Sequence, residues 1–219
     1  MTAIFDLDLT LINGDSSTRW CHWIADQGFV EDLPAFYKRE AELMDHYRQK
    51  KLKVEDYIKL SLSPVVHLPI TEIDRLLTRY IEEQITPIII PQMLECVRQH
   101  QQYREVIIIS SSPQFLVRAI AKQCFNIDTS FGVAVAENNG FYTTDVIGTS
   151  PYQGGKLTLF QEHRQSDAEF FEDCYFYTDS INDIALLEAV EFPYIIQPDA
   201  ELEAIAKARQ WPIIEIEKA

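Results

Sequence analysis

The stretch REVIIISSSPQFLVRAIAKQC, residues 104–124, decides how the rest of the chain is read. It starts as a short apolar run rich in isoleucine, the pattern of a strand buried on both faces of a parallel sheet. Ser110, Ser111 and Ser112 follow, and a helical pattern then begins at Pro113, with Ser112 placed to cap it.

The same alternation extends in both directions. Ala3 to Phe5 form an opening apolar strand, and CYFYTDS (174–180), PYIIQP (193–198) and PIIEI (212–216) supply others. Helical patterns lie between them, from Pro91, from about Gly155 and from Asn182. Strands alternating with helices predict an α/β fold, a doubly wound, Rossmann-like parallel sheet covered on both faces. FGVAVAENNGFYTTDVIG (131–148) reads as a hairpin, because Asn139-Gly140 between alternating apolar residues favours a tight turn.

Residues 16–86 break the alternation. TRWCHWIADQG, LPAFYKREAELMDHYRQKK, VEDYIKLSL and TEIDRLLTRYIEEQ are helix-like, with no convincing strand among them. The expected organisation is a small helical cap over 16–86, inserted after the first strand of a core made of 1–15 and 87–219.

Composition narrows the function. The chain has 219 residues, 47% apolar and 24% charged, as in ordinary globular proteins. No apolar run nears the roughly 20 residues that span a bilayer, and the N-terminus shows no signal peptide. Cys21, Cys96, Cys124 and Cys174 lie far apart, which suits reduced thiols in a cytoplasmic protein. The five histidines are scattered, against a histidine-ligated zinc site. A net charge of −15 repels phosphate backbones, so nucleic acid is not an expected partner. The same field favours amine-bearing ligands and hard cations. A membrane partner is not expected either, and the chain reads as a monomer or homodimer with a small-molecule substrate.

In doubly wound sheets the ligand sits beyond the carboxyl ends of the strands. There the first strand delivers Asp6 and Asp8, followed by Thr10, and residues 104–110 deliver Ser110 and Ser111. CYFYTDS delivers Asp179, with Asp183 four residues on, and Lys156 follows Gly154-Gly155. Gathered carboxylates need a cation, and oxygen-only ligands select a hard one such as Mg²⁺. Backbone N–H groups after Ser110, with Lys156, would hold a phosphate. One aspartate is then free to attack phosphorus while the other protonates the leaving oxygen.

FDLDLT, IIISSS, GGK and YTDSIND resemble, in order and spacing, the four motifs of the haloacid dehalogenase superfamily. The D-x-D-x-T form is similar to its phosphatase branch, and the helical insertion resembles the cap of the phosphoserine-phosphatase-like subfamily. The resemblance implies that Asp6 is the nucleophile, forming an aspartyl-phosphate, and that Asp8 is the acid and base. It implies Mg²⁺ held by Asp6, the Asp8 carbonyl and Asp179, with Asp183 in support. It assigns Ser110, Ser111 and Lys156 to the phosphoryl group, with Thr10 bracing the loop.

Substrate choice rests on the cap. Asp15 stands nine residues after Asp6, where phosphoserine phosphatases carry a glutamate that grips the substrate ammonium. Arg39 and Arg48 are candidates to hold a substrate carboxylate. Trp20 and Trp23, one helical turn apart, are candidates for an apolar or stacking wall. FDLDLTLINGDSS with the following tryptophan looks closest to compact bacterial histidinol-phosphate phosphatases of the subfamily. L-Histidinol phosphate, which has an amine and an imidazole but no carboxylate, is therefore the expected substrate. L-Phosphoserine is the alternative, and a phosphotransferase or a non-catalytic binding module on the same fold are further ones.

Overall fold

A computed structural model describes residues 1–49, 51–152 and 154–216. Six parallel strands form the central sheet: β1 (Thr2–Phe5), β2 (Glu105–Pro113), β3 (Thr129–Val133), β6 (Phe171–Thr178), β7 (Val190–Ile196) and β8 (Ile213–Ile214). Their order is β3-β2-β1-β6-β7-β8. β1 lies in the middle, pairing with β2 on one side and β6 on the other, with Ile4 opposite both Ile107 and Phe176.

The isoleucine runs form strands because both faces of the sheet are covered. Ile4, Ile107, Ile109 and Phe176 point to one side, where they meet Leu159 and Phe160 of α7 (Gly155–Arg164), Leu186 of α8 (Ile184–Ala189) and Leu202 of α9 (Ala200–Arg209). Ala3, Phe5 and Ile108 point to the other, packed with Phe115 and Leu116 of α6 (Gln114–Phe125) and Val97 of α5 (Pro91–Gln101). On that second face Phe5 stacks on Tyr177 at 4.6 Å and Tyr177 on Tyr194 at 4.8 Å, with His100 packed edge-on against Phe5.

Two expectations shift at this level. Pro113 ends β2 and stands at the N-cap of α6, so Ser112 is not the helix cap. Residues 131–133 belong to β3, because they pair with β2; the hairpin is confined to β4 (Val135–Asn138) and β5 (Phe141–Val146). Asn139 and Gly140 take the positive φ values, 51° and 81°, that its tight turn requires.

After β1 the chain turns back on itself and leaves the sheet. It then forms α1 (Ser16–Asp26), α2 (Leu33–Arg48), α3 (Val54–Leu62) and α4 (Ile70–Tyr80), the last continuing as a π-helical turn over Ile81–Ile85. The outgoing and returning segments pair: Asn13 N–H donates to Ile88 O at 2.7 Å and Ile90 N–H to Leu11 O at 3.0 Å.

Trp20 of α1 is fully buried, against Tyr80, Trp23 and Phe115, and its indole N–H donates to Ser61 O at 2.8 Å. Trp23 is 4% exposed and donates to Glu83 at 2.7 Å. Trp20 therefore joins the helical insertion to α6, while Trp23 packs against other residues of the insertion. Truncating Trp20 to alanine would cost about 3–5 kcal/mol.

Candidate active site

The carboxyl ends of β1, β2 and β6 meet at the centre of the sheet and open into a cavity of about 140 Å³. Asp6, the first residue past β1, is 6% exposed. Its Oδ1 accepts the Leu7 backbone N–H at 2.8 Å and stands 2.8 Å from Lys156 Nζ. Among the described residues its Oδ2 has no hydrogen-bond partner.

Beyond Asp6 the backbone must reverse sharply to bring Asp8 back over the strand end. Leu7 O accepts from the N–H groups of Thr10, Leu11 and Ile12, and Leu9 takes the left-handed φ of 58°. Such a conformation is strained for a side chain of that size. The loop is tied below by Thr10, fully buried, whose hydroxyl donates to Asp179 at 3.3 Å.

Asp8 receives the Ser16 N–H at 2.6 Å, the Ser112 hydroxyl at 2.6 Å and the Ser110 hydroxyl at 3.4 Å. Burial, reinforced by the charge of Asp15, raises it to about 7 in spite of these donors. Its acid form is therefore populated near neutrality.

Lys156, 2% exposed, also bridges to Asp183 at 2.7 Å, and Thr178 donates to the same oxygen at 2.6 Å. Burial alone would lower the lysine, but Asp183 and Asp6 outweigh it and hold the ammonium charged. Burial, partly offset by Lys156, raises Asp183 to about 6. Burial and then repulsion from Asp6 and Asp183 push Asp179 well above the usual carboxylate range. Lys156 can sit so deep because the turn before α7 is tight: a Cβ on Gly155 would come within 1.8 Å of Ser150 O.

Asp6, Asp8, Asp15, Asp179 and Asp183 thus face a single ammonium in the cavity. Among the described residues no three His, Cys, Asp or Glu side chains come together as a group that would hold a metal ion by themselves. The set suits instead a hard cation that keeps water and ligand oxygens of its own. The donors are all oxygen, and the raised Asp179 marks buried negative charge that such a cation would relieve.

Most of the residues picked out from the sequence converge here. Asp6, Asp8, Ser110, Ser111, Lys156, Asp179, Asp183 and Asp15 all face the cavity. Asp15 also caps α1, accepting from Thr18 N–H at 2.6 Å. Trp20 and Trp23 correct the expectation of an aromatic wall, since core packing takes both rings away from the cavity. Arg39 is turned outward, 3.4 Å from both Glu42 and Asp56, and does not line the cavity. The Arg48 side chain lies outside the described residues.

Sequence reading missed Ser112 and Thr178 as partners of Asp8 and Asp183. It also missed Tyr47, Tyr57 and Tyr152, which supply aromatic wall where the tryptophans do not. Ser112 and Thr178 sit in the quoted serine and YTDS runs, so strand-end position was an available signal; nothing local marks the tyrosines.

Residues 3–188 match the model of the haloacid dehalogenase-like hydrolase family. The chain is 32% identical to a histidinol-phosphatase of Neisseria meningitidis serogroup C, over 97% of each chain. A solved structure from Bordetella pertussis Tohama I superposes with a TM-score of 0.87 at 28% identity, over 97% of each chain. A phospho-aspartyl intermediate analogue of phosphoserine phosphatase shares the fold, with a TM-score of 0.61 at 21% identity, over 99% of this chain and 93% of that one.

Proposed function

Because this chain belongs to the haloacid dehalogenase-like hydrolase family, we propose that its cavity hydrolyses a small amine-bearing phosphomonoester, L-histidinol phosphate. The observation that carries the reaction is the asymmetry of Asp6. Lys156 and the Leu7 N–H hold Oδ1, which leaves Oδ2 as the attacking atom. Asp8, with a proton to give near pH 7, stands two residues away on the same cavity.

In the first step Asp6 Oδ2 bonds to phosphorus, the ester P–O bond breaks, and Asp8 protonates the departing alcohol. In the second, water attacks the aspartyl-phosphate, Asp8 takes its proton, and inorganic phosphate leaves with Asp6 restored. Lys156, with Ser110 and Ser111, holds the phosphoryl oxygens, while Thr10 and Asp183 fix Asp179 and Lys156. Asp6, Asp179 and the Asp8 carbonyl would hold Mg²⁺, which supplies neutralisation of the phosphoryl charge.

The choice of substrate is supported by the cavity wall. Among its described residues Lys156 is the one cation. Asp15 suits an ammonium, and Tyr47, Tyr57 and Tyr152 suit a flat ring. The similarity to the Neisseria histidinol-phosphatase points the same way. Residues 16–86 act in this reading as a cap that selects substrate over the core of 1–15 and 87–219. Phosphate release from a panel holding L-histidinol phosphate, L-phosphoserine and ethanolamine phosphate, with Mg²⁺, tests it. L-Histidinol phosphate should give the highest kcat/KM; a clear preference for L-phosphoserine would overturn the substrate.

A further inference from the structure

Two buried hydroxyls on the cavity wall, Tyr57 Oη and Tyr152 Oη, have no hydrogen-bond partner among the described residues. Tyr57 comes from α3 and Tyr152 from the loop before α7, so they approach the cavity from the helical insertion and from the sheet side. Tyr57 is 7% exposed; the Thr18 hydroxyl beside it donates to Met44 Sδ at 3.7 Å and interacts electrostatically with the phenol, without reaching it in hydrogen-bond geometry. Burial and then the charge of Asp15 hold the Tyr57 phenol well above its ordinary value, so it stays a donor at any working pH. Tyr152 is positioned by the Tyr47 ring, 5.8 Å away at 39°.

Buried polar groups are nearly always paired, because an unmade bond in a dry site is costly. Phenylalanine would fill the same volume without that penalty. Two such hydroxyls on one cavity wall are therefore arranged for a polar group that enters the cavity. A phenol both donates and accepts, and a neutral imidazole offers one nitrogen of each kind.

We infer that Tyr57 and Tyr152 are specificity residues that hydrogen-bond the heteroatoms at the non-phosphate end of the substrate. For L-histidinol phosphate, on whose proposal above this assignment rests, those heteroatoms are the ring nitrogens. A site built to pair a polar group rejects an isostere lacking it, because its own groups are then stranded.

The test compares L-histidinol phosphate with L-phenylalaninol phosphate, in which a phenyl ring replaces the imidazole, on wild type, Tyr57→Phe and Tyr152→Phe. Wild type should favour the imidazole compound in kcat/KM by about a hundredfold. Each variant should lower that ratio about tenfold, chiefly through KM, with no drop in melting temperature. An unchanged ratio in both variants would overturn the inference and leave the proposed substrate standing. Should wild type prefer L-phosphoserine, the substrate proposal falls, and the variants are judged on L-phosphoserine against ethanolamine phosphate. Loss of that preference keeps the tyrosines as polar-end groups, and its retention removes them.

Discussion

The Lys156 ammonium lies 2.8 Å from the Asp6 carboxylate, and both groups are almost wholly withdrawn from water. A pair held this way is costly to break from one side. Lys156→Met should lower stability by about 3–5 kcal/mol in metal-free protein, read by urea unfolding at pH 7. Asp183, raised from 3.8 to about 6, binds its proton more tightly folded than unfolded, so its contribution worsens as pH rises through that window. Losing Lys156 enlarges this effect, and the variant should recover part of its deficit between pH 7 and pH 5. A deficit that grows on acidification would contradict the pairing.

Asp6→Asn keeps the shape of the side chain but replaces the carboxylate oxygen to which the proposal assigns the attack. Turnover should fall by about 10³-fold or more, with far-UV circular dichroism unchanged. Wild type quenched in acid during turnover should carry phosphate on Asp6, and the variant should carry none.

Asp8 at about 7 ties the rate to leaving-group chemistry. With an alkyl phosphate, whose alcohol must be protonated as it leaves, kcat/KM should fall as pH rises above about 7. With p-nitrophenyl phosphate, whose leaving group needs no proton, that alkaline limb should flatten. Parallel profiles for the two substrates would remove Asp8 from the acid role.

His100 makes a prediction about stability far from the chemistry. It is 7% exposed; Arg104 donates to its Nδ1 at 2.5 Å, so Nε2 carries the proton toward Tyr177 Oη, 2.8 Å away. Burial, and then the Arg104 charge, lower it from 6.5 to about 4. The unfolded chain therefore binds the extra proton between those values, and stability falls as pH drops through them. Wild type should lose about 2 kcal/mol more than His100→Gln on going from pH 7 to pH 5, by urea unfolding at each pH.

The adjacent glycines before Lys156 should behave differently. Nothing lies within 4 Å of a Cβ built on Gly154, while one on Gly155 would strike Ser150 O. Gly154→Ala should stay within about 0.5 kcal/mol of wild type. Gly155→Ala should displace the turn and, with it, Lys156, lowering kcat/KM about a hundredfold, since small misplacements of a catalytic group are expensive. Equal effects at both positions would contradict this placement.

That pair also shows where sequence reading stops. The Gly154-Gly155-Lys156 motif was visible in the chain, but which glycine the backbone crowds depends on Ser150 folding over it. The central strands were legible because a sheet buried on both faces demands unbroken runs such as VIII at 106–109. The site was legible because strand ends in a parallel sheet converge by topology. Trp20 and Trp23 misled because helical spacing says that two rings share a face, not which neighbour that face meets. Tyr57 and Tyr152, nearly a hundred residues apart, meet the same cavity through tertiary packing alone.

The paired crossings at Asn13–Ile88 and Leu11–Ile90 place the entry and exit of the inserted helices side by side. A segment whose ends nearly touch is, to the rest of the molecule, a long loop on a short base, and lengthening such a loop is thermodynamically cheap. Lineages could therefore exchange or rebuild the whole insertion while Asp6, Lys156 and Asp179 kept their places. Under the proposed function, new substrate preferences would then evolve as a change of lid on an unaltered reaction chamber.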